Sequence, residues 1–216
     1  MQQKKLSTTY KLMRRLGFNY SEEEYGQESL WRVIKQFFGN IHRKRLEKMI
    51  GWAMLDLFLS RKLRSVLLRK IGCHVGKNAF IGDYVRVDLQ HANMIYIGEY
   101  AHITSGCRLL CHHRDLKNYR VGDNAALCGY RKGEIHIGRG VMVGMESTIM
   151  PGVTIGDGAI IGAGSLVVKD VPAWTVAMGV PAKVVKIISQ YSDIQDIKQW
   201  RVALSFNTLG VSYKAA

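Results

Sequence analysis

From Val75 onward an aliphatic residue recurs at every sixth position, and a glycine often follows it. One run reads Val75-Gly76, Ile81-Gly82, Val87, and a second reads Ile97-Gly98, Ile103, Leu109. A third reads Ile137-Gly138, Val143-Gly144, Ile149, Ile155-Gly156, Ile161-Gly162, Val167. A period of six is neither the 3.6 of a helix nor the 2 of an alternating strand. It predicts very short strands joined by tight turns, each sending one aliphatic side chain toward a common axis. Glycine and small polar residues, as in Asp157-Gly158 and Gly164-Ser165, suit the corners. No such strand can bury a face alone, so stability must come from stacking successive coils about 4.8 Å apart.

The phase breaks twice. A short insertion, Asn93 to Tyr96, separates the first two runs, and a longer one extends from Asp115 to about Glu134. The longer segment is polar and holds several glycines, which predicts a loop extruded from the coil, a common place for function. Before the repeat, residues 30–70 have helical spacing. Trp31, Ile34, Phe37 and Phe38 form one apolar stripe, and Ile50, Met54, Leu57 and Phe58 form another, with Arg43, Lys44, Arg45, Arg61, Lys62 and Arg64 among and after them. The first reading of this segment is a set of helices capping the open end of the stack. The second is a basic amphipathic surface making peripheral contact with an acidic membrane. From Ser189 onward a short helix is expected, forming a C-terminal extension over residues 189–216.

These motifs resemble the hexapeptide-repeat acyltransferases, whose repeat is roughly aliphatic-Gly-x-x-x-x. The resemblance spans residues 71–188 and includes Val171-Pro172 through Gly179-Val180-Pro181-Ala182-Lys183, which is similar to that family's terminal "VP…GxPAK" signature. It implies a mainly β fold, a left-handed parallel β-helix of 18 residues per coil. The coils would run 75–92, 97–114, 137–154 and 155–172, with a basic helical segment (1–70) before them and the loop of 115–134 extruded.

Acyl transfer from a thioester needs a base for the acceptor's proton and donors for the developing oxyanion. Of seven histidines, His112 and His113 sit where the regular coil gives way to the loop. The segment Ile97 to His112 looks like the family's "IGxxxxITxGxxILTH", whose last histidine is the catalytic base. The resemblance therefore assigns that role to His112. This chain departs from the pattern at Cys111, where threonine is usual, and at His113, where aspartate is common. Asp88 falls where many relatives carry an aspartate facing the active site, so Asp88 and His113 are candidate acceptor-binding residues. Asp88 would alternatively satisfy turn amides at a corner.

The resemblance also implies acetyl-CoA as acyl donor, with no metal. Its pantetheine arm would pass Gly144, Met145, Gly162, Ala163 and Ser165, and its phosphates would meet Lys169, Lys183 and Lys186. Met145 stands where some relatives have serine. Relatives are homotrimers with sites between subunits, and the match near His112 points to sugar O-acetyltransferases of the maltose, galactoside and polysaccharide-biosynthesis kinds. A serine, amino-sugar or antibiotic acceptor, a zinc enzyme resembling the γ-class carbonic anhydrases, and a non-catalytic scaffold are the alternatives.

Composition sharpens this picture at two points. The formal charge is +14, and residues 1–70 alone supply a net +10, which favours polyanionic partners such as a phosphate-rich cofactor or acidic lipid. No nucleic-acid-binding motif accompanies the charge, and nucleic acid is not expected as a partner. Four cysteines in no paired spacing, with a polar start at Met1 to Lys5, lead us to expect reduced thiols in the cytoplasm.

Overall fold

The computed structural model describes residues 6–17, 25–50 and 62–188. The expected stripe members Met54, Leu57 and Phe58, and the expected C-terminal helix, lie outside the described residues.

Twelve two- or three-residue strands wind into four coils. The first holds β1 (His74–Val75), β2 (Phe80–Ile81) and β3 (Arg86–Val87), and the second β4 (Ile95–Ile97), β5 (His102–Ile103) and β6 (Arg108–Leu109). A side hairpin, β7 (His112–Arg114) and β8 (Tyr130–Lys132), leaves the stack there. The third coil is β9 (Ile135–Ile137), β10 (Met142–Val143) and β11 (Thr148–Ile149). The fourth is β12 (Thr154–Ile155), β13 (Ile160–Ile161) and β14 (Leu166–Val167). Equivalent strands pair in parallel, giving three faces: β1-β4-β9-β12, β2-β5-β10-β13 and β3-β6-β11-β14. The chain is thus a left-handed parallel β-helix, a triangular prism with one ladder of aliphatic side chains behind each face.

Those ladders are the predicted period-six positions. Val75-Ile97-Ile137-Ile155, Ile81-Ile103-Val143-Ile161 and Val87-Leu109-Ile149-Val167 stand in register. All except Val75, which is partly buried, are buried in the core. The glycine that follows seven of the twelve ladder residues is explained by the stacking itself. A Cβ on Gly98 would come within 2.6 Å of the carbonyl carbon of Gly138, and one on Gly144 within 2.8 Å of Ala163 Cα. Corner backbone in neighbouring coils approaches too closely for a side chain.

The last coil is closed by a second hairpin: β15 (Thr175–Gly179) extends the second face parallel to β13, and β16 (Ala182–Ile187) pairs antiparallel with β15. Three helices precede the first coil, α1 (Thr8–Arg15), α2 (Leu30–Ile50) and α3 (Lys62–Ile71), and α3, packed against α2, covers it. Leu67, Leu68 and Ile71 of α3 join Leu46 and Ile50 of α2 in the core cluster. The cap is also hydrogen-bonded in place. Ser65 Oγ donates to the Ala79 carbonyl at 2.7 Å, and Arg69 donates to the Val75 and Gly76 carbonyls at 2.9 Å each. Buried Arg64 donates to the Ile50 carbonyl at 3.0 Å. No described helix is long and apolar enough to cross a membrane.

Candidate active site

The strand register locates both sequence insertions. In the regular part, Ile137 pairs with Ile155, 18 residues on. Val75 pairs with Ile97 and Ile97 with Ile137, steps that exceed 18 by 4 and by 22. The extra residues fall in consecutive coils on the same edge, where the third face turns into the first. In the first coil this edge runs from Asp88 through a short 3-10 turn, Ala92–Met94; in the second it carries the β7-β8 hairpin. Two interruptions far apart in sequence are thereby stacked on each other.

Their side chains meet. Asp88, 8% exposed, accepts hydrogen bonds on one carboxylate oxygen, Oδ2, from Nδ1 of His112 and from Nδ1 of His91, the latter at 3.3 Å. The other oxygen, Oδ1, accepts from the Gln90 backbone N–H at 3.2 Å. Burial pushes the Asp88 carboxyl up, but the hydrogen bond and charge of His112, joined by those of His91, outweigh it and hold the group below its ordinary value. An ionised Asp88 offers only acceptors, so the Nδ1 facing it carries the proton and Nε2 of neutral His112 presents a lone pair. The His91 and His112 rings lie 5.1 Å apart, and Tyr130 from β8 sets its ring edge-on to His112, also at 5.1 Å. Arg114 covers the other side of this group, 4.1 Å over the Tyr130 ring, and donates to the Cys128 carbonyl at 2.6 Å.

Not every candidate joins the cluster. Side chains alternate along β7, so His112 and Arg114 are partly buried while His113 is exposed on the opposite side. Cys111 is fully buried, its Sγ 3.9 Å from the Met94 carbonyl, and burial pushes its thiol up to about 12, which disqualifies it as a nucleophile. His74 and His136 stack on either side of Tyr96 along the first face, and His102 lies against Phe80 on the second.

Among the donor-site candidates, Gly144, Met145, Gly162 and Ala163 line up on the edge between the second and third faces. The Gly164 N–H donates to the Met145 carbonyl at 2.7 Å there, and Met145 is exposed. Ser165 faces inward instead. Its hydroxyl donates to the Gly162 carbonyl at 2.6 Å and accepts from the Gly179 N–H at 3.2 Å. Lys169 follows β14 on the histidine edge, and Lys183 and Lys186 lie on β16.

His91 and Tyr130 belong to the cluster although sequence reasoning counted His91 only among the histidines a zinc enzyme could use and gave Tyr130 no role. The four-residue insertion one coil before His112 is the signal for His91. Nothing in the sequence marks Tyr130, whose place depends on the hairpin register that pairs Arg114 with Tyr130.

Comparison with known proteins agrees with this architecture. Residues 134–169 match the model of the bacterial transferase hexapeptide (six repeats). Serine acetyltransferase 2 of Arabidopsis thaliana is 31% identical over 160 residues, 73% of this chain and 46% of that protein. The other curated relatives also extend beyond the match, the chain spanning 31–58% of their length. A maltose O-acetyltransferase from Clostridium difficile 630 superposes with a TM-score of 0.56 at 24% identity, over 71% of this chain and 88% of that one. A galactoside acetyltransferase solved with coenzyme A superposes with a TM-score of 0.51 at 25% identity, over 72% and 86%. The repeat, its coil register and these likenesses show the fold of the hexapeptide-repeat transferases in this chain, and that family's repeat model matches residues 134–169.

Proposed function

We propose that this protein transfers an acetyl group from acetyl-CoA to a hydroxyl of a sugar or saccharide, with His112 as general base. The observation that carries the reading is the Asp88–His112 pair, held on a rigid prism at the edge from which the hairpin emerges. The galactoside enzyme, solved with coenzyme A on the same fold, supports the choice of donor and of acceptor class.

The chemistry follows from the tautomer. Asp88 holds the proton on Nδ1, so Nε2 takes the proton of the acceptor hydroxyl as its oxygen attacks the thioester carbonyl. The tetrahedral adduct then collapses, breaking the carbon–sulfur bond, and the imidazolium returns the proton from Nε2 to the departing thiolate. Asp88 remains ionised and stabilises the transient imidazolium. His91, on the same carboxylate oxygen, fixes Asp88 between two rings.

The donor groove follows from close packing. Where neighbouring coils meet at Gly144 and Gly162, exposed backbone is free of side chains, and a pantetheine arm would lie along it, past Met145 and Ala163. Ser165 would contribute backbone alone, Lys183 and Lys186 would meet the phosphates, and Lys169, on the histidine edge, would reach them from a neighbouring subunit. Within one chain this edge and the histidine edge are separated by the third face. A homotrimer, in which a neighbour's glycine edge approaches His112, would join them.

A second reading rests on one observation. Asp88, His91 and His112 offer ligand atoms that all lie within 4.8 Å of one another, as a divalent metal would require. Both histidines aim Nδ1 at a single carboxylate oxygen, and that hydrogen-bonded arrangement fits the base reading better.

The test is a thiol-release assay with acetyl-CoA against a panel of galactosides, maltose, amino sugars and serine, with and without a chelator. Chelator-insensitive release on a saccharide, with a melting temperature raised by millimolar CoA, is the expected result. No CoA-induced shift and no release would overturn the proposal, and chelator-sensitive activity would favour the metal reading.

A further inference from the structure

Helix α2 divides into two unlike halves. Its C-terminal half docks on the prism through Leu46 and Ile50, both buried. Its N-terminal half leaves Leu30, Trp31, Ile34, Phe37, Phe38 and Ile41 exposed, with Trp31 at 74%, Phe37 at 60% and Phe38 at 64%. Their spacing places them on one stripe. At about 100° per residue, Leu46 and Ile50 lie roughly 160–200° around the helix from Leu30, on the side opposite the stripe. The stripe spans about −20° to 100° from the Leu30 direction, so its centre points away from the core that anchors the helix and Trp31 stands at its border.

The same stripe continues C-terminally as charge. Lys44, Arg45 and Lys48, all exposed, follow Ile41 within about 60° of the Leu30 direction. Across α2 there are six lysines and arginines, with Glu47 the lone acidic residue, and Glu47 is only partly exposed. A soluble surface rarely keeps a Trp-Phe-Phe cluster on one face of a helix without a partner. Rings at the level of lipid headgroups with lysine and arginine beside them make the pattern of an interfacial helix, and that pattern is complementary to negatively charged lipid.

We propose that the exposed face of α2 lies in the surface of a bilayer containing anionic lipid. Trp31, Phe37 and Phe38 would enter the headgroup boundary, with Arg45 and Lys48 over the lipid phosphates. The proposal rests on no part of the acetyl-transfer reading.

It is tested with the full-length protein and sucrose-loaded vesicles, sedimented at physiological salt. Vesicles with about 30 mol% phosphatidylglycerol should carry the protein down at least roughly tenfold more strongly than pure phosphatidylcholine. The triple variant Trp31→Ser/Phe37→Ser/Phe38→Ser should lose binding to the anionic vesicles by about tenfold or more while melting at the wild-type temperature, since the three side chains face solvent. Arg45→Glu/Lys48→Glu should lose the preference for anionic lipid. Failure of the wild type to sediment with anionic vesicles would overturn the proposal, as would full binding by the triple variant. An oligomer that the triple variant breaks apart, with vesicles ignored, would instead assign the stripe to a second copy of this chain.

Discussion

At the edge between the second and third faces the chain turns in a few residues per coil, and Gly144 stacks against Ala163 as tightly as backbone allows. At the edge between the third and first faces, two consecutive coils carry 4 and 22 extra residues, and Asp88, His91 and His112 meet there. Both edges belong to one prism with unbroken aliphatic ladders behind them. The contrast teaches that the repeat supplies rigidity and spacing, while polar chemistry gathers where the repeat is interrupted. Inside the ladders a carboxylate would be buried among aliphatic side chains without partners, but the enlarged corner surrounds buried Asp88 with two imidazoles and a backbone N–H on a fixed frame.

Substitutions on the two edges should fail in different ways, and the difference can be measured. The largest effect is expected from Asp88→Asn. The amide would offer an N–H to Nδ1 of His112, favour the wrong tautomer and lower kcat by roughly 10²- to 10⁴-fold, with only a modest fall in melting temperature at neutral pH. Steady-state kinetics with a responsive saccharide would check it, and kcat within a few-fold of wild type would break the comparison on the chemical side. Next, Ile149→Ala opens a cavity between Leu109 and Val167 in a ladder that runs through four coils. It should cost about 2–5 kcal/mol in denaturant unfolding while leaving kcat of the folded fraction intact.

Gly144→Ala should cost about 1–3 kcal/mol, because the added methyl meets Ala163 backbone that cannot move without unstacking a coil. If the donor arm passes there, the KM for acetyl-CoA should rise as well, which would sharpen the assignment of that edge. The smallest effect concerns acid. Asp88 is held below its ordinary pKa in the fold, so it stabilises the native state above the unfolded value of about 3.9 and loses that contribution as pH falls through the lower, folded value. Melting curves of wild type and Asp88→Asn should therefore converge below about pH 4. A gap that is constant across that range would show that the pairing adds no stability.

The plain part of the molecule was legible residue by residue. All twelve period-six positions stand in the ladders, because a side chain repeated at each strand has one place to go. The position of His112 at the start of the interruption was legible too. The inward turn of Ser165 was written in the same phase, since it stacks behind Val85, Cys107 and Ser147 at the inward position before each strand of the third face. What was not legible depends on long-range register. Only the pairing of Val75 with Ile97 and of Ile97 with Ile137 shows that the two insertions share an edge, and only then does His91 come to Asp88. Likewise, helical spacing gave the α2 stripe, but not which side of the helix the core would claim.

The direct test is the rate of thiol release from acetyl-CoA by His112→Ala beside wild type, with a saccharide that the wild type acetylates and at equal folded fraction. Loss of the base predicts a fall of about 10²-fold or more with CoA binding retained. Turnover near the wild-type rate would contradict the assignment of the reaction to this edge of the prism.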